Sequence, residues 1–264
     1  MPRRSRSRPL VVTVTPPSKI CLIADIHSNL AALRAVVQDA GEVDAWWCMG
    51  DLVGYGPDPN ECVELLAELG AISVAGNHDA GSIGKLSLGR FNLDARLAAE
   101  WTGTVLSESS TRILDALEET RAADDCGAFL VHGSPSDPLW EYITSATQAE
   151  HNFEAFTGDI CFCGHSHVPI VFATPGQDDP EGVAQVVPAD GETIELAADR
   201  RYLANVGSVG QPRDGDPRAS YVMFEPRAKL ITYYRVAYQV ERTQGRMEEA
   251  GLPAFLIKRL ALGR

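Results

Sequence analysis

Five of the six histidines sit in short polar clusters, each placed directly after an apolar run. The clusters are Asp25-Ile26-His27, Gly50-Asp51, Gly76-Asn77-His78-Asp79, His132-Gly133 and Gly164-His165-Ser166-His167. Brought together, Asp25, His27, Asp51, Asn77, His132, His165 and His167 make a nitrogen and oxygen ligand set with no thiolate. Such a set suits Mn, Fe, Zn, Ni or Co rather than a cysteine-based structural zinc. It is too large for one ion and fits two that share a bridging carboxylate. Two divalent ions about 3.5–4 Å apart are the apparatus of in-line phosphoryl chemistry. Each cluster alone is a weak signal: Gly50-Asp51 reads as a turn and His132 as a core histidine. The ordered recurrence carries the weight. His151 belongs to no cluster and reads as an exposed helix residue.

For these residues to meet, the strands before them must end on one rim, where open α/β sheets place their ligands. Asp25 to Asp51 and Asp51 to Asn77 are each 26 positions apart, about one short strand–helix–strand step. Ile20–Ala24, Ala45–Met49 and Ala71–Ala75 read as strands. Between them a helix capped by Ser28 or Asn29 runs to Gly41, and a second runs through Val63, Leu66 and Leu69 to Gly70. Strand alternation would put Asp25 and His27 on one side, and likewise His165 and His167. Residues 92–120 look wholly helical, and Gly127–Val131 and Ile160–Cys163 read as further strands. From about residue 168 the pattern is β-rich, and residues 178–199, with seven acids and no Lys or Arg, read as a solvated hairpin. Pro253, as a first-turn proline, opens a last helix to Gly263. The expected class is α/β.

A chain of 264 residues buries enough surface to stand without disulfides. The six cysteines form no C-x-x-C pattern, so they read as buried thiols in a reducing cytoplasm, Cys161 and Cys163 on one strand face. Net charge is −13, and the first eighteen residues hold four arginines and no acid, which leaves −17 on residues 19–264. So acidic a body is a poor match for nucleic-acid duplex or anionic membrane. No run is long enough for a membrane span. The expected organisation is a disordered basic extension over 1–18, one domain over 19–240 with a helical cap at about 80–125, and a C-terminal helical segment over 241–264. P-loop, H-E-x-x-H, G-x-S-x-G and dinucleotide glycine motifs are all absent.

The order D-x-H, G-D, G-N-H-D, H-G and G-H-x-H resembles the calcineurin-like metallophosphoesterase superfamily over roughly residues 19–236. The wording around Gly50–Asn60 and Asn205–Arg213 is similar to its small bacterial members, labelled phosphodiesterases or diadenosine-tetraphosphatase-related. The resemblance implies a four-layer α/β/β/α sandwich of two mixed sheets and a site for two transition-metal ions, Mn foremost. It implies that Asp25, His27 and His167 hold the first ion, that Asn77, His132 and His165 hold the second, and that Asp51 bridges. His78 would be the non-ligand histidine near the scissile phosphate, and Asp79 a supporting residue behind the ligands. The implied activity is metal-dependent hydrolysis of a small phosphodiester, phosphomonoester or dinucleoside polyphosphate by a hydroxide shared between the ions. The expected partner is that small substrate, with a homo-oligomer compatible. Protein Ser/Thr phosphatases of this superfamily would carry Asp at Gly54 and Arg at Tyr55, so their phosphate clamp is missing. Arg213 is the candidate replacement contact, and Tyr55 a candidate stacking surface. A phosphoprotein phosphatase-like monoesterase and a non-catalytic scaffold of the same fold are the alternatives.

Overall fold

The computed structural model describes residues 16–177 and 181–264. Nearly all of the basic extension expected over 1–18 therefore lies outside the described residues, as do residues 178–180 of the acidic stretch. The elements run β1 (Ile20–Ile23), α1 (Leu30–Ala40), β2 (Ala45–Cys48), α2 (Pro59–Glu68), β3 (Ile72–Ser73), α3 (Asn77–Ser82), α4 (Leu93–Val105) and α5 (Glu108–Asp115). They continue with β4 (Thr120–Ala123), β5 (Ala128–Val131), α6 (Ala146–Asn152), β6 (Ile160–Cys163), β7 (Ile170–Ala173) and β8 (Ala184–Val186). The remainder is β9 (Thr193–Glu195), β10 (Tyr202–Asn205), β11 (Ala219–Glu225), β12 (Leu230–Val236), α7 (Val240–Glu249) and α8 (Ala254–Leu260).

Among the described residues two six-stranded mixed sheets form, ordered β3-β2-β1-β11-β12-β9 and β4-β5-β6-β10-β7-β8. The side-chain period of two explains why they stack. Ile20 and Leu22 of β1 face a central core shared with Ile160 and Phe162 of β6, while Cys21 and Ile23 face α1 and α2. On the second sheet Cys161, Cys163 and Leu203 face away from the centre, against Ala149 and Phe153. The result is helix, sheet, sheet, helix: the expected four-layer sandwich. Cys161 and Cys163 share a face and are fully buried, as alternation requires.

Parallel runs β1–β2–β3 and β5–β6–β10 lie in different sheets. The rim that collects the clusters is therefore double, built from the strand ends of two facing sheets.

Three local expectations are corrected. Residues 92–120 are not one helix: Leu106 is extended (ψ 132°), and the Ser107 side chain accepts from Ser110 N to cap a new helix. The segment then ends in β4, an edge strand paired with β5. The acidic stretch is not a hairpin, because β8 pairs with β7 while β9 pairs with β12 of the other sheet. Pro253 stands at the N-cap of α8 rather than in its first turn, while α7 and α8 both fall in the C-terminal segment expected to be helical. His151 is exposed on α6, as expected. Among the described residues no helix is long and apolar enough to cross a membrane.

Candidate metal centre

Strand alternation is not what aims the paired ligands. β1 ends at Ile23 and β6 at Cys163, so all four paired residues lie in the loops beyond. Asp25 (φ 51°), His27 (φ 48°), Asp51 (φ 53°), His165 (φ 66°) and His167 (φ 61°) all adopt left-handed backbone. For residues bearing a Cβ this conformation costs roughly 1–2 kcal/mol each. The loops are braced against one another to hold it. Asp25 N donates to Gly50 O and His27 N to Asp51 O, both at 3.0 Å. Gly76 lets the third loop approach: a Cβ there would lie 2.0 Å from Asp51 Oδ1. That oxygen accepts from His78 N at 2.9 Å. Asp79 accepts from Val53 N at 3.0 Å and Gly76 N at 2.9 Å, which ties the Asp51 loop to the Asn77 loop.

All seven expected ligands converge and are buried, none more than 4 % exposed. Asp25, His27 and His167 offer ligand atoms within 4.8 Å of one another, and so do Asp51, His132 and His165. Asp51 stands between the two groups, its Oδ2 3.6 Å from His27 Nε2 and 3.4 Å from His132 Nε2. Asn77 Oδ1 lies 3.1 Å from His132 Nε2. His27, Asp51 and His78 form a third grouping of the same tightness.

The hydrogen-bond pattern tests whether cations fit. His27 Nδ1 faces Val53 O at 3.2 Å, and His167 Nδ1 faces Gln211 O, so each Nδ1–H donates and each Nε2 keeps a lone pair. Those two Nε2 atoms face each other at 3.1 Å with no proton to share. On the other side His132 Nδ1 donates to Met49 O at 2.9 Å and His165 Nε2 to Trp140 O at 3.3 Å. His132 Nε2 then meets two further bare acceptors, His165 Nδ1 at 3.0 Å and Asn77 Oδ1 at 3.1 Å. Among the described residues neither Asp25 nor Asp51 forms an ion pair with Lys or Arg. Converging lone pairs and buried carboxylates without a counter-ion are unfavourable unless a cation lies between them. A ligating histidine commonly gives its other N–H to a carbonyl, as all four do here. Two divalent ions fit this donor set.

Burial dominates the titration of the cluster. It holds the imidazoles of His27, His78, His132, His165 and His167 below their ordinary range, and therefore neutral. It pushes the carboxyls of Asp25, Asp51 and Asp79 up, with mutual repulsion adding to the shift for Asp25 and Asp79.

The other expected residues divide. His78 lines a cavity of about 70 Å³ over the ligands, together with Asp51, Asn77 and Arg213. Its ring packs against Tyr55 (4.3 Å between centroids), His27 (4.9 Å) and Phe91 (4.9 Å), and its Nδ1 is buried without a partner. Tyr55, the expected stacking surface, also lines this cavity; it is 5 % exposed and packs between His27, His78 and the C-terminal helices. It is a wall that holds His78. Arg213 reaches the cavity with Nη2 donating to Gln211 Oε1 at 3.0 Å. A far roomier cavity of about 860 Å³, between Trp47, Ile72, Arg121 and Arg227, lies at the opposite strand ends and touches none of this chemistry.

Residue types alone do not reveal several supports. The histidines are aimed by backbone carbonyls, which any residue supplies. Asn205, at the end of β10, donates to Gly164 O and to Ser166 Oγ, and its Oδ1 accepts from Gly207 N at 2.9 Å. It thereby holds the turn that carries His165 and His167. Ser208 Oγ donates to Asp25 O at 2.8 Å. Arg90, Phe91, Trp140 and Tyr142 line the mouth of the cavity from segments without a recognisable pattern.

Comparison with known proteins agrees with this geometry. Residues 19–229 match the family model of the calcineurin-like phosphoesterase superfamily domain. The chain is 39 % identical over 253 residues to the uncharacterised protein MJ0912 of Methanocaldococcus jannaschii, covering 94 % of this chain and 99 % of that one. It is 48 % identical to a metallophosphoesterase of known structure from Sphaerobacter thermophilus, with a TM-score of 0.84 over 94 % of this chain and all of the other. A hypothetical protein of Pyrococcus horikoshii, PH1004, shares the fold at 18 % identity, with a TM-score of 0.71 over 93 % of this chain and 98 % of its own. With two facing sheets, a shared ligand rim and these matches in agreement, the chain belongs to the calcineurin-like phosphoesterase superfamily.

Proposed function

We propose that the protein is a dinuclear metal-dependent phosphoesterase acting on small phosphodiesters, phosphomonoesters or dinucleoside polyphosphates. The observation that carries this is the position of Asp51 Oδ2 between two sets of unprotonated donors, 3.6 Å from His27 and 3.4 Å from His132. Asp25, His27 and His167 would hold one ion, Asn77, His132 and His165 the other, and Asp51 would serve both. When bound, the ions supply Lewis-acid stabilisation of the phosphoryl oxygens and a water of lowered pKa, with Mn the foremost choice over Fe, Zn, Ni or Co.

The chain's own residues do the rest. Arg213, which lines the cavity, would contact a non-bridging oxygen. Because the Nδ1 edge of His78 is buried, its Nε2 is the nitrogen left to meet the leaving oxygen, where it donates a hydrogen bond to developing charge. A phosphoprotein monoester is disfavoured, because Tyr55 occupies the position where a fixed guanidinium would clamp the dianion.

The test is to strip metal with a chelator, reconstitute with single ions, and assay bis-p-nitrophenyl phosphate, p-nitrophenyl phosphate, dinucleoside polyphosphates and a phosphopeptide. Hydrolysis should appear with Mn more than with Mg, and diesters or dinucleoside polyphosphates should exceed the phosphopeptide in kcat/KM. Full activity in the metal-free protein would overturn the reading.

A further inference from the structure

The cavity above the ligands measures about 70 Å³, room for little more than a phosphoryl group. Sites that enclose a whole small molecule run to roughly 300–1,000 Å³. A phosphate ester seated there places its phosphorus end in the cavity and its remainder across the rim. That rim is Arg90, Phe91, Trp140 and Tyr142.

Arg90 ends the single helical turn Leu88–Arg90, and its guanidinium carbon lies 4.3 Å from the centre of the Trp140 ring. Phe91 meets Trp140 edge-on at 5.2 Å and His78 edge-on at 4.9 Å, so the indole is held both by the arginine on its face and by Phe91. A guanidinium laid on an aromatic face keeps its N–H edge free for an anion and needs little further ordering to bind one. Among the described residues Arg90 has no carboxylate partner, whereas Arg96, Arg218, Arg235 and Arg246 each have one. Arg213, lining the same cavity, also lacks one, and its Nε is buried without any partner. The cavity thus offers one guanidinium within and a second on its rim.

We propose that Arg90, fixed on Trp140, forms a second anion subsite that binds the non-scissile phosphate of the substrate while Arg213 faces the scissile one. The preferred substrate class is then a phosphoanhydride-bridged or otherwise polyphosphorylated ester, not a diester with a single charge. This rests on the phosphoesterase reading for the reaction but not for the binding.

The test compares the wild-type protein with Arg90→Gln, both loaded with Mn and checked for equal metal content. Calorimetric titration with methylenediphosphonate and with inorganic phosphate gives a readout that needs no turnover. Arg90→Gln should weaken the diphosphonate about tenfold, the usual worth of a charge-assisted contact, and leave phosphate unchanged. KM for a dinucleoside polyphosphate should rise by a similar factor, and by clearly more than KM for bis-p-nitrophenyl phosphate, which carries no second phosphate. Equal losses for both ligands, no loss for either, or no diphosphonate binding by wild type would each overturn the subsite. Arg90-dependent binding without hydrolysis of any ester would sink the catalytic reading and leave the subsite standing.

Discussion

Gly54 lies directly against the buried edge of His78: a Cβ at Gly54 would come 2.5 Å from His78 Nδ1. Gly54 has φ +87°, and the Nδ1 it covers has no hydrogen-bond partner. His78 is therefore oriented by ring packing against Tyr55, His27 and Phe91, not by a carboxylate.

This arrangement makes Gly54→Ala informative. The added methyl must push the imidazole from its slot, and the left-handed backbone adds roughly 1–2 kcal/mol of destabilisation. kcat should fall toward the level of His78→Ala, a loss of about 10²–10⁴-fold, with both ions retained. Metal analysis alongside kcat decides the matter. Loss of metal from His78→Ala would make His78 a ligand, in keeping with its tight grouping with His27 and Asp51.

Asp51→Asn and Asp25→Asn should separate by stoichiometry. Asp51 faces both donor groups, while Asp25 belongs to one, its Oδ1 3.4 Å from His167 Nε2. The Asp51 variant should lose affinity at both positions, and the Asp25 variant chiefly at one. Elemental analysis after dialysis should show nearly none and about one ion per chain, because a single shared carboxylate suits two adjacent ions. An Asp51 variant that keeps one tight ion would show that Asp51 does not bridge.

Asn205→Ala removes the two donors that hold the Gly164–Ser166 turn. Because His165 and His167 belong to opposite donor groups, both positions should weaken. The expected loss is about 10–100-fold in metal affinity, the usual effect of removing a group that orients ligands. Competition with a fluorescent chelator measures it. Asn205→Asp, which keeps one acceptor but loses the donors, should not rescue.

The ligand set was legible in the sequence because it consists of residue types that are rarely buried without a purpose, placed after apolar runs. The layering was legible where alternation governs it, as at Cys161 and Cys163. Two features were hidden. Asp25 and His27 point together because of left-handed loop backbone, which no side-chain period encodes. The rim residues Arg90 and Trp140 meet only through tertiary folding, 50 positions apart, and neither segment carries a motif. Helix length over 92–120 was misjudged because apolar spacing continues across the break, although Ser107 supplies a cap that could have marked it.

Removing metal should leave a pH signature in stability. Stability rises with pH wherever the unfolded chain binds more protons than the native one. In the metal-free protein the buried imidazoles stay neutral while those of the unfolded chain charge below about pH 6.5, so histidine favours folding as pH rises to that point. The buried carboxyls act in the opposite sense. Asp79 is pushed up to about 7 and Asp51 to about 8, so the native state holds protons that the unfolded chain released near pH 4. As pH rises past 6.5 the histidine effect fades while the carboxyl effect persists, so stability must fall until those carboxyls ionise near pH 8. Bound Mn replaces these protons and should remove the decline. Calorimetry from pH 6 to 9 should show the metal-free Tm falling by roughly 4–8 °C between pH 6.5 and 8, the size expected for about 2 kcal/mol in a chain this long. The gain on adding Mn should widen over the same interval. A flat metal-free profile, or a Mn effect equal at pH 6.5 and 8, would mean that the carboxyls of this cluster ionise without the cation.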